Sequence, residues 1–206
     1  MDEQQQNIAD PRRAAILQAA FEVFVEKGFD AATTAEIVRR ARTSKRTLYE
    51  FFASKQEILT ALVRYGAAKM QPSPALPEPQ NKAQFLAVLG QFGRVFLGEL
   101  LHPERTAMYR LAIAEAGRGG GSIARELEAT GRAPVTQAIT RFFEQAASRG
   151  IISGDQTAML ISVFFSVLVG MTPLQALLAA PPIGSDAMAQ RAALATQVLA
   201  RMMEPA

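Results

Sequence analysis

An all-α fold follows from three features of this 206-residue chain. Apolar residues recur at three- and four-residue spacing throughout, the runs begin and end on helix caps, and no stretch alternates apolar with polar residues between hairpin turns. The composition, 49% hydrophobic and 20% charged, suits a globular chain that buries a real core. About nine helices are expected, split into two parts by a proline-rich segment.

Residues 1–10 open polar and acidic, the opposite of a signal peptide, and read as a disordered tail. Asp10 is placed to cap the first helix, with Pro11 at the position where its missing N–H costs nothing. Ala15, Ile16, Ala19, Ala20, Val23 and Phe24 then follow helical spacing, and Gly28 ends the run. Thr33, with Glu36 three residues on, is a capping box for a second helix through about Ala41. Ser44 starts a short third helix over Lys45–Phe52. Ser54, with Glu57, starts a fourth that runs to about Met70.

Four prolines in the nine residues Gln71–Pro79 exclude a helix and mark a linker over 71–81. Residues 11–70 are therefore one domain and 82–206 another. In the second, helical periodicity returns at about 82–101, 104–116, 122–149 (interrupted near Gly131–Pro134), 155–172 and 186–203. Glycines around 117–121 and the Pro181-Pro182 pair punctuate these runs.

The net charge of +3 is too small to argue for nucleic acid, but its distribution does. Between Arg39 and Lys55 stand six basic residues and one acid, Glu50. Such a cluster is the electrostatic footprint of a phosphate-binding face, although a solvated helix face carries similar clusters. Context favours the first reading. Three short helices, the last two separated by about three residues, make a helix-turn-helix, whose last helix packs one face inward and offers its first turn to the major groove. Leu48 and Phe52 supply the inward face. Lys45, Arg46 and Tyr49 lie opposite, and the Ser44 cap leaves a helix N-terminus that suits phosphate.

The segment Thr33–Val38, followed by Ala41–Leu59 with its Thr-Leu-Tyr-Glu-Phe-Phe core and Ser-Lys-Gln-Glu continuation, resembles the signature of the TetR family of bacterial transcriptional regulators. The likeness covers about residues 11–60, including the Gly-Phe ending of the first helix. It implies a dimer that binds double-stranded operator DNA as a repressor in the cytoplasm. By position it implies phosphate or base contacts from Thr34, Thr43, Ser44, Lys45, Arg46, Thr47 and Tyr49, and a phosphate contact from Lys55. One departure stands out: Arg42 occupies the turn position where the family has glycine. Either the turn is reshaped, or the arginine gains a phosphate contact that offsets the left-handed strain of about 1–2 kcal/mol.

Over 82–206 the resemblance, to AcrR- or AefR-type C-terminal domains, is weaker and rests on Leu111–Ala116. Residues 156–185 carry no charge, long enough to raise a membrane span, but Pro173, Ser162, Ser166 and the lack of basic flanks argue against one. A helix apolar all round is instead buried all round. Ser162, Ser166 and Gly170 form a small-residue stripe. With Ala192, Ala195 and Leu199 of the last helix they are expected to build a four-helix homodimer interface. Phe92, Phe96, Met108, Leu111, Glu115, Phe142, Phe143 and Phe165 are either core or the lining of a pocket for a small hydrophobic effector, cationic if Glu115 faces it.

Two other functions fit the sequence less well. An enzyme lacks its chemistry here: there are no cysteines, one histidine (His102, beside a proline), no nucleophile elbow and no zinc-ligand spacing. No cofactor or metal is expected. A helical carrier leaves the N-terminal motif without a purpose.

Overall fold

In the computed structural model the described residues are 10–69, 76–115 and 122–204, and they form helices and turns with no strand among them. The helices are α1 (Pro11–Ala31), α2 (Thr34–Arg40), α3 (Lys45–Phe51), α4 (Lys55–Lys69), α5 (Lys82–Leu100), α6 (Pro103–Glu115), α7 (Ser122–Leu127), α8 (Ala133–Ser148), α9 (Thr157–Val169), α10 (Thr172–Leu177) and α11 (Ser185–Met202). A π-turn, Glu128–Arg132, carries α7 into α8, and a 3-10 turn, Gly154–Gln156, leads into α9. Counting α7–α8 and α9–α10 as interrupted single runs gives nine helical stretches among the described residues, the expected number. The tail before Asp10, linker residues 70–75 and the glycine-rich 116–121 lie outside the described residues; Leu76–Asn81 carries no helix.

The chain forms two compact units: Met1–Met70 with Ala107–Arg132, and Gln71–Thr106 with Ala133–Ala206. In the first, Asp10 caps α1 by accepting from Arg12 N at 2.8 Å. The helix breaks at Gly28, whose φ of 78° is a left-handed value that glycine adopts without steric cost. One face of α1 buries Ile16, Leu17, Ala20, Val23 and Phe24, while Ala15 lies exposed on the other. Against it pack Ile37 of α2, Leu48 and Phe52 at α3, and Ile58, Leu59 and Leu62 of α4. Each of these large side chains contributes about 1.5–3 kcal/mol by leaving water.

The same core takes in Leu111, Ala112 and Ile123, residues that the linker position assigns to the other domain. The reason lies in α4, which buries Ala61, Leu62 and Val63 in succession and so needs cover on more than the α1 side. α7 supplies part of it, tied to α4 by a bidentate pair from Arg64 to Glu126 at 2.8 and 2.9 Å.

The second unit is centred on α5, with α11 and α9 packed around it and α8 alongside. Gly93 lets these helices approach closely: a Cβ there would meet Leu168 Cδ1 at 3.0 Å and Ala192 Cβ at 3.2 Å. Phe85 stacks on Phe142 and meets Phe143 edge-on, with centroids 5.2 and 5.1 Å apart. Lys82 Nζ donates to Ala200 O near the end of α11, and Arg149 bridges Glu78 and Gln80.

This packing corrects the expected dimer surface. Ala192, Ala195 and Leu199 are fully buried in their own unit's core, so they are not available to a partner. The small alanines allow a close approach to α5, not to a second chain. Ser162, Ser166 and Gly170 are exposed, as the stripe requires, and the outward side of α11 carries Leu194. Residues 154–177 are apolar and long enough to cross a membrane by composition, yet Gly170, at φ 50° and ψ −133°, breaks them. The 13 residues of α9 reach only about 20 Å, short of a hydrocarbon core of about 30 Å.

Candidate nucleic-acid interface

Three caps build the helix-turn-helix. Thr33 Oγ1 accepts from Glu36 N at 3.2 Å while Glu36 Oε2 accepts from Thr33 N at 3.2 Å, the reciprocal capping box at the start of α2. Lys27 donates to the same carboxylate from α1. That bond first, and the Thr33 hydroxyl second, hold the Glu36 carboxyl below its ordinary range. At α3, Ser44 Oγ accepts from Thr47 N at 2.9 Å and sits 2.9 Å from Thr47 Oγ1. At α4, Glu57 N donates to Ser54 Oγ at 3.1 Å, and the Glu57 carboxylate reaches past the cap to Ala53 N at 2.7 Å.

Between α2 and α3 the backbone forms a Schellman turn. Arg42 N donates to Arg39 O at 3.3 Å and Thr43 N to Val38 O at 3.1 Å. Such a turn needs a left-handed residue after the cap, and Arg42 takes that conformation, φ 50°. The turn keeps its shape; the arginine bears the strain. Its side chain is exposed and has no ion pair among the described residues.

Leu48 and Phe52 anchor the inward side of α3, and the opposite side stands in solvent. Tyr49 is 46% exposed, with Lys45 Nζ 5.9 Å from its ring centroid. Arg46 is exposed and meets Glu50 at 3.1 Å, a surface pair worth about 0–1 kcal/mol and easily exchanged for a phosphate. Ser44 and Lys45 are exposed, while Thr34, Thr43 and Thr47 are half-buried. Eight of the nine sequence-named residues thus gather along α2, the turn and α3.

Lys55 is the exception. Its ammonium donates to Phe29 O at 2.6 Å, Ala32 O at 3.0 Å and Asp30 O at 3.1 Å, so its three protons are all engaged by backbone. The phosphate contact implied by the resemblance has no free donor here. Arg40 is also diverted, to Glu26 at 2.6 Å and Glu22 at 3.9 Å on α1. The basic cluster of the sequence is therefore reduced at the surface to Arg39, Arg42, Lys45 and Arg46.

Sequence reasoning passed over Arg12 and Arg13. Arg12 lies over the Phe51 ring at 5.5 Å and Arg13 over Phe52 at 5.3 Å, both beside the end of α3. Arg12 also pairs with the cap residue Asp10 at 2.8 Å, which offsets its place at the positive end of the helix.

The residues named as core or effector lining are divided. Met108 and Leu111 join the core of the first unit; Phe92, Phe96, Phe142, Phe143 and Phe165 join that of the second. Phe142 and Phe143 are fully enclosed, so they are core. Phe96 and Phe165 are half-buried and meet T-shaped, centroids 5.5 Å apart. The side chain of Glu115 lies outside the described residues.

The family model for bacterial regulatory proteins of the tetR family matches residues 16–62, and that for the AefR-like transcriptional repressor C-terminal domain matches residues 87–202. The chain is 47% identical over 55 residues to the HTH-type transcriptional activator FasR of Mycolicibacterium smegmatis, covering 27% of this chain and 25% of FasR. With the Bacillus subtilis regulators YdeS and YvdT, too, the match spans about a quarter of the relative's length. To the HTH-type transcriptional regulator YvkB of Bacillus subtilis it is 26% identical over 160 residues, 78% of this chain and 80% of YvkB. A TetR transcriptional regulator from Agrobacterium tumefaciens shares the fold with a TM-score of 0.79 at 26% identity, over 92% of this chain and 94% of that one. The flavonoid-responsive regulator FrrA does so with a TM-score of 0.74 at 25% identity, over 94% and 97%.

Proposed function

The chain belongs to the TetR family of bacterial transcriptional regulators, and we propose that it is a cytoplasmic repressor that binds a palindromic operator as a homodimer and releases it on binding a small hydrophobic effector. The observation that carries the DNA-binding part is α3: its first turn is capped by Ser44, which accepts from Thr47 N, and its exposed side presents Lys45, Arg46 and Tyr49. Two copies related by a two-fold axis would place two such helices in successive major grooves, which is why a palindrome is expected. The match of the C-terminal half to the AefR-like transcriptional repressor domain supports repression.

Dimerisation is supported by the apolar run Gly154–Leu177, of whose most apolar window only 22% is buried within the chain. Met159 and Leu194 lie exposed on α9 and α11, and with Ser162 and Ser166 they form the proposed partner surface. The effector is proposed to enter beside the half-buried rings of Phe96 and Phe165, next to Phe92. A planar aromatic compound fits such rings, and FrrA, a regulator of the same fold, is flavonoid-responsive.

Selecting duplexes from a randomised pool with the purified protein tests the central proposal. Enrichment of a two-fold symmetric sequence, with binding that weakens steeply in salt, supports it. A pool that emerges without a shared sequence refutes it. A reporter driven from the enriched site then separates repression from activation.

A further inference from the structure

We infer that Lys55 serves operator reading as a positioning residue: its ammonium clasps the backbone leading into the helix-turn-helix to the helix that follows it, instead of holding a DNA phosphate. This rests on the operator binding proposed above. The motif runs from the Thr33 cap to Phe52. The chain reaches it through residues 29–32, after α1 breaks at Gly28, and leaves it into α4, whose first residue is Lys55.

A helix end leaves up to four carbonyls without intrahelical donors, and here the break adds a non-helical turn. Lys55 Nζ serves three of the carbonyls in this stretch, those of Phe29, Asp30 and Ala32, from 26, 25 and 23 residues away. The Phe29 ring lies under the ammonium, 4.5 Å from centroid to Nζ, and shields one side from water. One point charge converging on three carbonyls fixes their position in a way no single hydrogen bond does.

The consequence reaches both reading helices. Ala32 immediately precedes the cap of α2, so the clasp sets where Thr34 stands relative to α4. At the other end, Phe52 in the core and the Ser54–Glu57 cap fix α3 to α4. The first turns of α2 and α3 are thereby held to a common frame from outside, while the Arg42 turn joins them from inside. Loosening the clasp should misplace α2 against its phosphate while α3 keeps its charge.

Two variants, Lys55→Met and Lys55→Arg, are measured against the duplex that the unaltered protein enriches and against a scrambled duplex of equal length, over a salt series and well below each melting midpoint. Lys55→Met is expected to lose about tenfold or more on the enriched duplex, the scale of one lost base-pair contact, and nothing on the scrambled one, with an unchanged salt slope. Lys55→Arg is expected to lose affinity too, because a planar fork cannot converge on three carbonyls. If both duplexes weaken equally and the slope flattens by about 0.9, Lys55 touches a phosphate and the inference fails. Parent-like affinity of the folded Lys55→Met protein makes the clasp purely stabilising and also overturns it. Should Lys55→Met not fold, Lys55→Arg decides: a phosphate contact survives that exchange and a clasp does not. A parent that enriches no sequence overturns operator reading itself, and the inference with it.

Discussion

Replacing Arg42 with glycine should make the protein more stable and poorer at binding DNA. Arg42 sits at φ 50° in the Schellman turn, where a side chain costs about 1–2 kcal/mol. Glycine removes that strain but gives back about 0.5–1 kcal/mol through the greater freedom of its unfolded chain. A net gain of about 0.5–1 kcal/mol remains, a rise of roughly 1–4 °C for a chain of this size. Alanine is the control. It keeps the Cβ, hence the strain, and loses an exposed side chain with no ion pair among the described residues, so its stability should match the parent within about 0.5 kcal/mol. Urea melts at one fixed protomer concentration measure this, since a dimer's midpoint depends on concentration. Both variants lose the guanidinium, so both should flatten the salt slope of DNA binding by about 0.9. Equal stability of the glycine and alanine variants would show that the turn stores no strain. An unchanged salt slope in both would remove Arg42 from the interface.

Tyr49→Ala should weaken binding to the enriched duplex about tenfold or more, about 1.4 kcal/mol, while the melt stays near that of the parent, because the ring is largely exposed; titration alongside a melting curve checks both. Ser166→Arg, on the exposed stripe of α9, should give a monomer in sedimentation where the parent is expected to be a dimer, whereas the folded core is left alone. Gly93→Leu should destabilise by about 1–3 kcal/mol or more through overfilling against Leu168 and Ala192, read in a urea melt. The Glu36 carboxyl has a depressed folded pKa, so its stabilising effect is complete above the ordinary value of 4.5 and is lost as pH falls through the folded value. Glu36→Gln should therefore flatten the acid limb of the stability curve below about pH 5, seen in melts across pH.

The helices of the first unit were legible because their signals are local. Thr33, Ser44 and Ser54 lie within three or four residues of the groups they cap, and Gly28 and Pro11 act on their own backbone. The destination of a charge is a tertiary fact and was not legible. Lys55 reaches carbonyls more than 20 residues away, and Arg40 finds acids on α1; sequence shows only that both are basic. The last helix failed for a related reason. Its apolar residues satisfy helical spacing on two sides, and nothing local says that Ala192, Ala195 and Leu199 turn inward while Leu194 turns out. That choice is made by Gly93 on a helix a hundred residues earlier.

The division of the chain bears on how an effector could act. If the reading domain ended at the proline-rich segment, that segment would be its one covalent tie to the rest, and a poor conductor of motion. The first unit, however, also contains Ala107–Arg132, so the chain crosses between units at three places: near Met70, within α6 at Thr106–Ala107, and where the π-turn meets α8 at Arg132–Ala133. Two of those crossings are helical. Inside the first unit, the returning segment is fastened to α4 by Leu111, Ala112 and Ile123 in the core and by the Arg64–Glu126 pair. α4 in turn carries Lys55 and the cap that follows α3. Within the first unit, Ala107–Arg132 therefore has a packed route to α4 and the reading helices that does not depend on the linker. Arg64→Ala tests the route. It leaves every DNA-facing residue in place, so binding of the enriched duplex should persist while its release by effector weakens. Full release in that variant would place the coupling elsewhere.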